Sequence, residues 1–176
     1  MSILKVARMG HPVLRERARA LTKSDLLNPL VQKLVDDMID TMREYHGVGL
    51  AAPQVHEGLR LFVALLDEEP GPSSDVVAVV NPEIVPASPA QEEGWEGCLS
   101  IPDIRGRVPR FTDVTVSALD REGKAIELKL KGFPARVAQH ETDHLDGILF
   151  FDRMRSMESL TFLDEYSRFH EKEDDD

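Results

Sequence analysis

The residues best suited to chemistry in this chain are His140-Glu141-Thr142-Asp143-His144. Residues four apart on an α-helix are separated by about 6 Å of rise and lie on nearly one side, so both imidazoles can meet a single metal ion. The glutamate beside the first histidine then stands at the ion's open position. There a carboxylate can take a proton from bound water, as the general base of a metal-assisted hydrolysis. The surrounding pattern agrees, because Val137, His140, Glu141, His144, Leu145 and Ile148 fall at i, i+3, i+4, i+7, i+8 and i+11. The polar residues thus occupy the stripe that reads as buried. Two histidines and a glutamate can share a helix by chance, but burying them is costly unless they are paired or metal-bound.

A catalytic metal of this kind needs a third protein ligand and an open position. The longer protease pattern that ends in a third histidine is excluded, since Phe150 stands where that histidine belongs. A downstream acid, Glu158 or Glu165, is one option. The more economical option is Cys98, in Glu96-Gly97-Cys98-Leu99-Ser100. A lone cysteine is ordinarily a small buried apolar residue. Here, however, Gly97 permits unusual backbone approach, and a thiolate with two imidazoles suits a soft or borderline divalent cation. A Cys-His nucleophile is the competing chemistry, and it leaves the histidine spacing unexplained.

The third segment is Gly47-Val48-Gly49-Leu50-Ala51-Ala52-Pro53-Gln54. It superficially satisfies a dinucleotide-binding G-x-G-x-x-A pattern, with Asp67 near the ribose-acid position. That motif needs a strand before the glycines and a helix after them, whereas here a helix ends at Gly47 and Pro53 interrupts any helix beyond it. Gly49 and Gln54 are better explained by a loop that lets a substrate backbone come close and offers a neutral amide donor to a reacting carbonyl.

Several elements must position these residues. A helix is predicted over 24–45, with Ser24 as its N-cap and Val31, Leu34, Val35, Met38, Ile39 and Met42 on one buried face. Gly47 suits the left-handed position that ends it. Residues 3–6 look strand-like, 61–66 and 76–80 read as strands, and 114–119 with 126–130 read as a hairpin about Asp120-Arg121-Glu122-Gly123. A second helix begins near Pro134 and stops at Gly147, and a third covers 156–170. Residues 69–74 form a surface loop. The fold class is α+β: mainly antiparallel sheets packed around a central metal-binding helix, with an N-terminal and a C-terminal helix. Residues 1–170 read as one catalytic domain and 171–176 as a frayed acidic tail.

Composition narrows the function classes. The chain has 176 residues, 41% hydrophobic and 30% charged, with a net charge of −11. That is one domain with a real core, and disorder is disfavoured. No apolar run approaches the roughly 18 residues of a membrane span. The acidic balance argues against general affinity for nucleic-acid backbone. A single cysteine fits a reducing compartment, and the start of the chain lacks the features of a secretory signal, so the expected location is cytoplasmic.

The three segments together resemble peptide deformylase. The family's motifs G-x-G-x-A-A-x-Q, E-G-C-x-S and Q-H-E-x-D-H appear in order at 47–54, 96–100 and 139–144, and the opening Met9-Gly10-His11-Pro12-Val13-Leu14-Arg15 also looks like the family's start. The resemblance implies that Cys98, His140 and His144 bind the metal and that Glu141 is the general acid/base. It further implies that the Gln54 amide and the Leu99 N–H stabilise an oxyanion, and that Val48, Gly49 and Gly97 hold the peptide main chain in strand-like pairing. The family's usual metal is ferrous iron, with zinc, nickel or cobalt able to occupy the site. The implied reaction removes the formyl group from the N-terminal formylmethionine of new polypeptides and releases formate: metal-bound water attacks the formyl carbon, and Glu141 passes its proton to the leaving amine. The implied partners are nascent chains, with transient ribosome contact and no sequence-specific nucleic acid. Asp143 and Gln139 read as supporting or helix-packing residues, and Glu96 as a partner of Arg110 or an ordinary surface acid. The alternatives are a zinc peptidase using His140, His144 and an acid, and a structural or redox-sensing metal domain closed by Cys98.

Overall fold

The computed structural model describes residues 2–71 and 74–171. All but the first residue of the acidic tail, and part of the 69–74 loop, lie outside the described residues. The first expected helix is two helices. Thr22 caps α1 (Lys23–Leu26) in a reciprocal capping box with Asp25, and Asn28 caps α2 (Pro29–Glu44) with Pro29 in its first turn. Proline lacks an N–H and collides with a preceding carbonyl inside a helix, so Pro29 can only begin a new one, and Ser24 is not the cap. Val35, Met38 and Met42 are fully buried, with Val31, Leu34 and Ile39 partly buried beside them. At the C-terminus the left-handed residue is His46 (φ 54), one place before the predicted Gly47. Gly47 instead donates its N–H to the Met42 carbonyl at 2.9 Å and His46 donates to Arg43 at 3.0 Å, the paired bonds of a Schellman ending.

A five-stranded antiparallel sheet runs in the order β1 (Gly49–Ala51), β2 (Leu61–Leu65), β3 (Val76–Pro86), β6 (Asp113–Leu119), β7 (Ala125–Lys131), the intervening β4 and β5 belonging to a separate sheet. Leu61 and Val63 of β2 enter a core with α2, while Phe62 and Ala64 enter a second core with Val137, Ala138 and Leu145 of α3 (Gly132–Leu145). A strand covered on both faces must be continuously apolar, which is why β2 does not alternate. The β6–β7 hairpin forms as predicted, with Leu119 opposite Ala125.

The second sheet pairs β4 (Gln91–Cys98), β5 (Ile101–Phe111) and β8 (Thr161–Phe162). Cys98 lies opposite Ile101, so Leu99 and Ser100 form the tight turn of this hairpin. The expected third helix is replaced by a 3-10 turn at Met157–Ser159, then β8, then α4 (Leu163–Phe169). Residues 3–6 are not a strand; Leu4 N–H is held by the Thr41 hydroxyl at 2.9 Å and Ala7 N–H by the Gln54 carbonyl at 2.7 Å.

Gly147 follows α3 with φ +73, and a Cβ there would sit 2.7 Å from the Arg15 carbonyl oxygen. Gly147→Ala is therefore expected to cost at least about 1–2 kcal/mol from the left-handed backbone alone. Urea denaturation checks this, and an unchanged midpoint would contradict it.

Candidate active site

Helix α3 carries His140, Glu141 and His144 inward, 8%, 4% and 1% exposed. The last residue of β4 brings Cys98 to them, with its Sγ 3.3 Å from His144 Nε2. The ligand atoms of Cys98, His140 and His144 all lie within 4.8 Å of one another. Neither downstream acid joins them: Glu158 lines a separate cavity with Arg107, and Glu165 pairs with Arg168 at 3.2 Å.

The buried carboxylate of Glu96 organises the surroundings. Its Oε2 accepts from His140 Nδ1 at 2.8 Å, which fixes the ring and leaves Nε2 for a ligand. Arg110 donates to both Glu96 oxygens, at 2.9 and 3.0 Å, and Arg136 donates at 3.0 Å. Glu96 is thus a partner of Arg110 and not a surface acid. Asp143 takes Arg110 from the other side and Arg153 at 2.7 Å. Gln139 exchanges hydrogen bonds with the Phe111 backbone, 3.1 Å to its N–H and 2.9 Å to its carbonyl, and so fastens α3 to β5. The motif residues flanking the histidines therefore hold the helix in place. Sequence reading missed Arg136, although its position four residues before His140 places it on the same helix face.

Gln54 is oriented by its own backbone. Ala51 N–H occupies its Oε1 at 2.8 Å, so Nε2 turns toward Cys98 Sγ at 3.5 Å and the Ser100 hydroxyl at 3.2 Å. Gly49 is required by space, because a Cβ there would fall 2.4 Å from Glu141 Oε1. These residues, with Val48, Gly97 and Leu99, line one cleft of about 710 Å³. The nine residues singled out from the sequence all come together in and beneath this cleft.

Electrostatics match a cation site. Burial disfavours ionising Cys98, yet His144 and His140 outweigh it and hold the thiol well below its ordinary range. Burial likewise disfavours charging His140, but Cys98 and Glu96 overcome it and push the imidazole well up. Both shifts favour the charged thiolate that a divalent cation would bind. Burial raises Glu141, with His140 and His144 pulling it partly back. Glu141 Oε2 and His144 Nδ1 are buried polar atoms with no hydrogen-bond partner. The donor set and the orphaned Glu141 oxygen fit a metal and its water.

Residues 3–160 match the family model described as polypeptide deformylase. The chain belongs to that family. Peptide deformylase from Thermotoga neapolitana is 46% identical over 156 residues, covering 89% of this chain and 90% of that protein. Peptide deformylase 2 from a Nostoc species is 40% identical over 168 residues, 93% of each. The Met-Ala-Ser-bound crystal structure of class I type b peptide deformylase from Acinetobacter baumannii superposes with TM-score 0.80 at 42% identity, covering 88% of this chain and 100% of that one. The family removes the N-formyl group from nascent polypeptides with a catalytic metal, and this chain is an enzyme of that kind.

Burial opposes the charge on Glu96, but His140 and Arg110 hold its carboxyl well below the usual range. A depressed folded value gives stability that is full above the unfolded value of about 4.3 and fades as pH falls through it toward the folded value. In metal-free protein the difference in unfolding free energy between wild type and Glu96→Gln should narrow between about pH 5 and 3. A gap that widens on acidification would contradict the pairing. In the loaded enzyme Glu96→Gln should weaken metal retention by about 10- to 100-fold, read by chelator competition.

Proposed function

We propose that Cys98, His140 and His144 hold the catalytic metal of this deformylase, that Glu141 moves the proton, and that Gln54 and Leu99 stabilise the charge that develops on oxygen. One observation carries this reading: three soft or borderline donors within 4.8 Å of one another in a cleft also lined by Glu141 and Gln54. A divalent cation held there would supply Lewis-acid polarisation of the formyl carbonyl and lower the pKa of a bound water toward about 7. Glu141, raised by burial, takes a proton from the attacking water and returns it to the leaving amine. Gln54 Nε2, locked by Ala51, and the N–H of Leu99 in its tight turn donate to the oxyanion.

The substrate main chain lies between two open edges. β1 ends the five-stranded sheet and β4 ends the other, so the backbone groups of Val48 and Gly49 that β2 does not take, and those of Gly97 on the other side, can pair with an added strand. The relative from Acinetobacter baumannii, whose crystal structure holds Met-Ala-Ser, supports a peptide at this place. The metal is ferrous iron, with zinc, nickel or cobalt as substitutes. The substrate is the formylmethionyl end of a nascent chain, met in the cytoplasm during transient ribosome contact. Among the described residues no helix is long and apolar enough to cross a membrane. Residues 1–170 act as one catalytic domain.

Anaerobic assay of a formylated Met-Ala peptide, with metal analysis, tests the reading. Formate release with about one iron per chain is expected, whereas internal cleavage would favour a peptidase and bound metal without turnover a structural site. Glu141→Gln should keep its metal and lose about 10²- to 10⁴-fold in kcat. Gln54→Ala should lose about 10²- to 10³-fold in kcat with the formylated peptide. Near-normal turnover of either variant refutes its role.

A further inference from the structure

The family motifs do not make the whole cleft. Its lining also includes Trp95 on β4 and Leu163 at the start of α4, and Leu163 lies past the residues matched by the family model. Two contacts seat this C-terminal segment. β8 adds to β5, with Phe162 opposite Ile104 and Thr161 opposite Arg105, so the chain enters α4 directly from a sheet ladder. Tyr166 and His170 then pack on Trp95, with ring centroids 5.1 and 5.0 Å away. Leu163, Tyr166 and His170 stand at i, i+3 and i+7, one helical face. The face that grips Trp95 therefore also turns Leu163, half-buried, into the cleft.

The distance from the reacting atoms defines what this wall can touch. Trp95 precedes Cys98 by three residues on β4, about 10 Å at 3.4 Å per residue. Although the ladder shifts register between Glu96 and Cys98, Trp95 and Gly97 are both partly exposed while Glu96 and Cys98 are buried, so a peptide paired at Gly97 runs on toward Trp95. An extended peptide covers the same length in about three residues. We infer that Leu163, held in place through Trp95, is a specificity-determining wall for the third and fourth residues of the formylated peptide, favouring apolar side chains there. This rests on the reading that the peptide pairs along β4. It adds to the family's chemistry a selection made by a segment outside the matched motifs.

The test compares formyl-Met-Ala-amide with formyl-Met-Ala-Leu-Leu-amide. Leu163→Ala should lower kcat/KM for the longer peptide by about five- to tenfold, mainly through KM, as expected for partial loss of apolar contact. The shorter peptide should change by less than about twofold. Equal losses on both peptides, or none on either, would overturn the wall. Leu163→Phe, which adds bulk at a half-exposed position, should shift preference from Leu-Leu toward Gly-Gly at the same two places; an unchanged preference would overturn it as well. Binding gives a readout without turnover, because Trp95 is the only tryptophan in the chain. Met-Ala-Leu-Leu-amide should alter its emission and Met-amide should not, and indifference to both would overturn the wall. Failure of wild type to release formate from either peptide would instead strike the deformylation reading, leaving the emission titration to judge the wall separately.

Discussion

The carboxylate of Glu96, 6% exposed, accepts hydrogen bonds from Arg110 on β5 and from Arg136 and His140 on α3, while itself belonging to β4. A charge buried that deeply is tolerable only when it is fully paired, and removing one partner leaves the others stranded. Its pairing is therefore a geometric constraint as much as an energetic one. The hairpin and the helix must meet at one register for two guanidinium groups and an imidazole to reach the same two oxygens. Once they do, His140 has a fixed ring orientation, and Cys98, two residues beyond Glu96, arrives beside His144. Asp143 extends the same network to Arg153 and the chain beyond α3.

The rest of the architecture supplies the two walls that this network joins. The five-stranded sheet is covered by α2 on one face and α3 on the other, which leaves β1 as an edge with Gly49 against Glu141. The other hairpin packs Cys98, Ile101 and Val108 with Leu149 and Phe150, anchoring the strand that carries Cys98 from beneath. The cleft is the seam between the sheets. A seam of this kind presents unpaired backbone on both sides without exposing a long sticky edge to solvent.

Much of this was legible in the sequence, and for identifiable reasons. The α3 stripe was readable because its polar residues share the period of its apolar ones. β2 and the β6–β7 hairpin were readable because their apolar runs are bounded by turn residues. β4 and β5 were not, since Gly94, Gly97, Pro102, Gly106 and Pro109 and the surrounding charges contradict strand propensity, and only the long ladder between them makes the strands. The same masking hid Arg136 and left the Glu96–Arg110 pair as one of two readings: a charged residue in a polar-looking stretch reads as surface until pairing turns it inward. Pro29 is a visible break, masked by an apolar period that continues beyond it. The C-terminal segment kept enough helical spacing to suggest one helix, while its pairing to β5 depends on a strand more than fifty residues earlier, which no local pattern records.

Chain separation within the site has a consequence for how each molecule comes into being. Gln54 and Cys98 are 44 residues apart, and Cys98 and His144 are 46 apart. An unfolded chain holds no preformed cage, because only the two histidines are local to one another. The last of the proposed ligands to leave the ribosome, His144, is also nearly the last residue of the helix that closes the core. A site built from those three donors would therefore be assembled only once tertiary structure brings β4 to α3. Folding is then a precondition of occupancy: a molecule can carry metal at this site only after its distant segments have found one another.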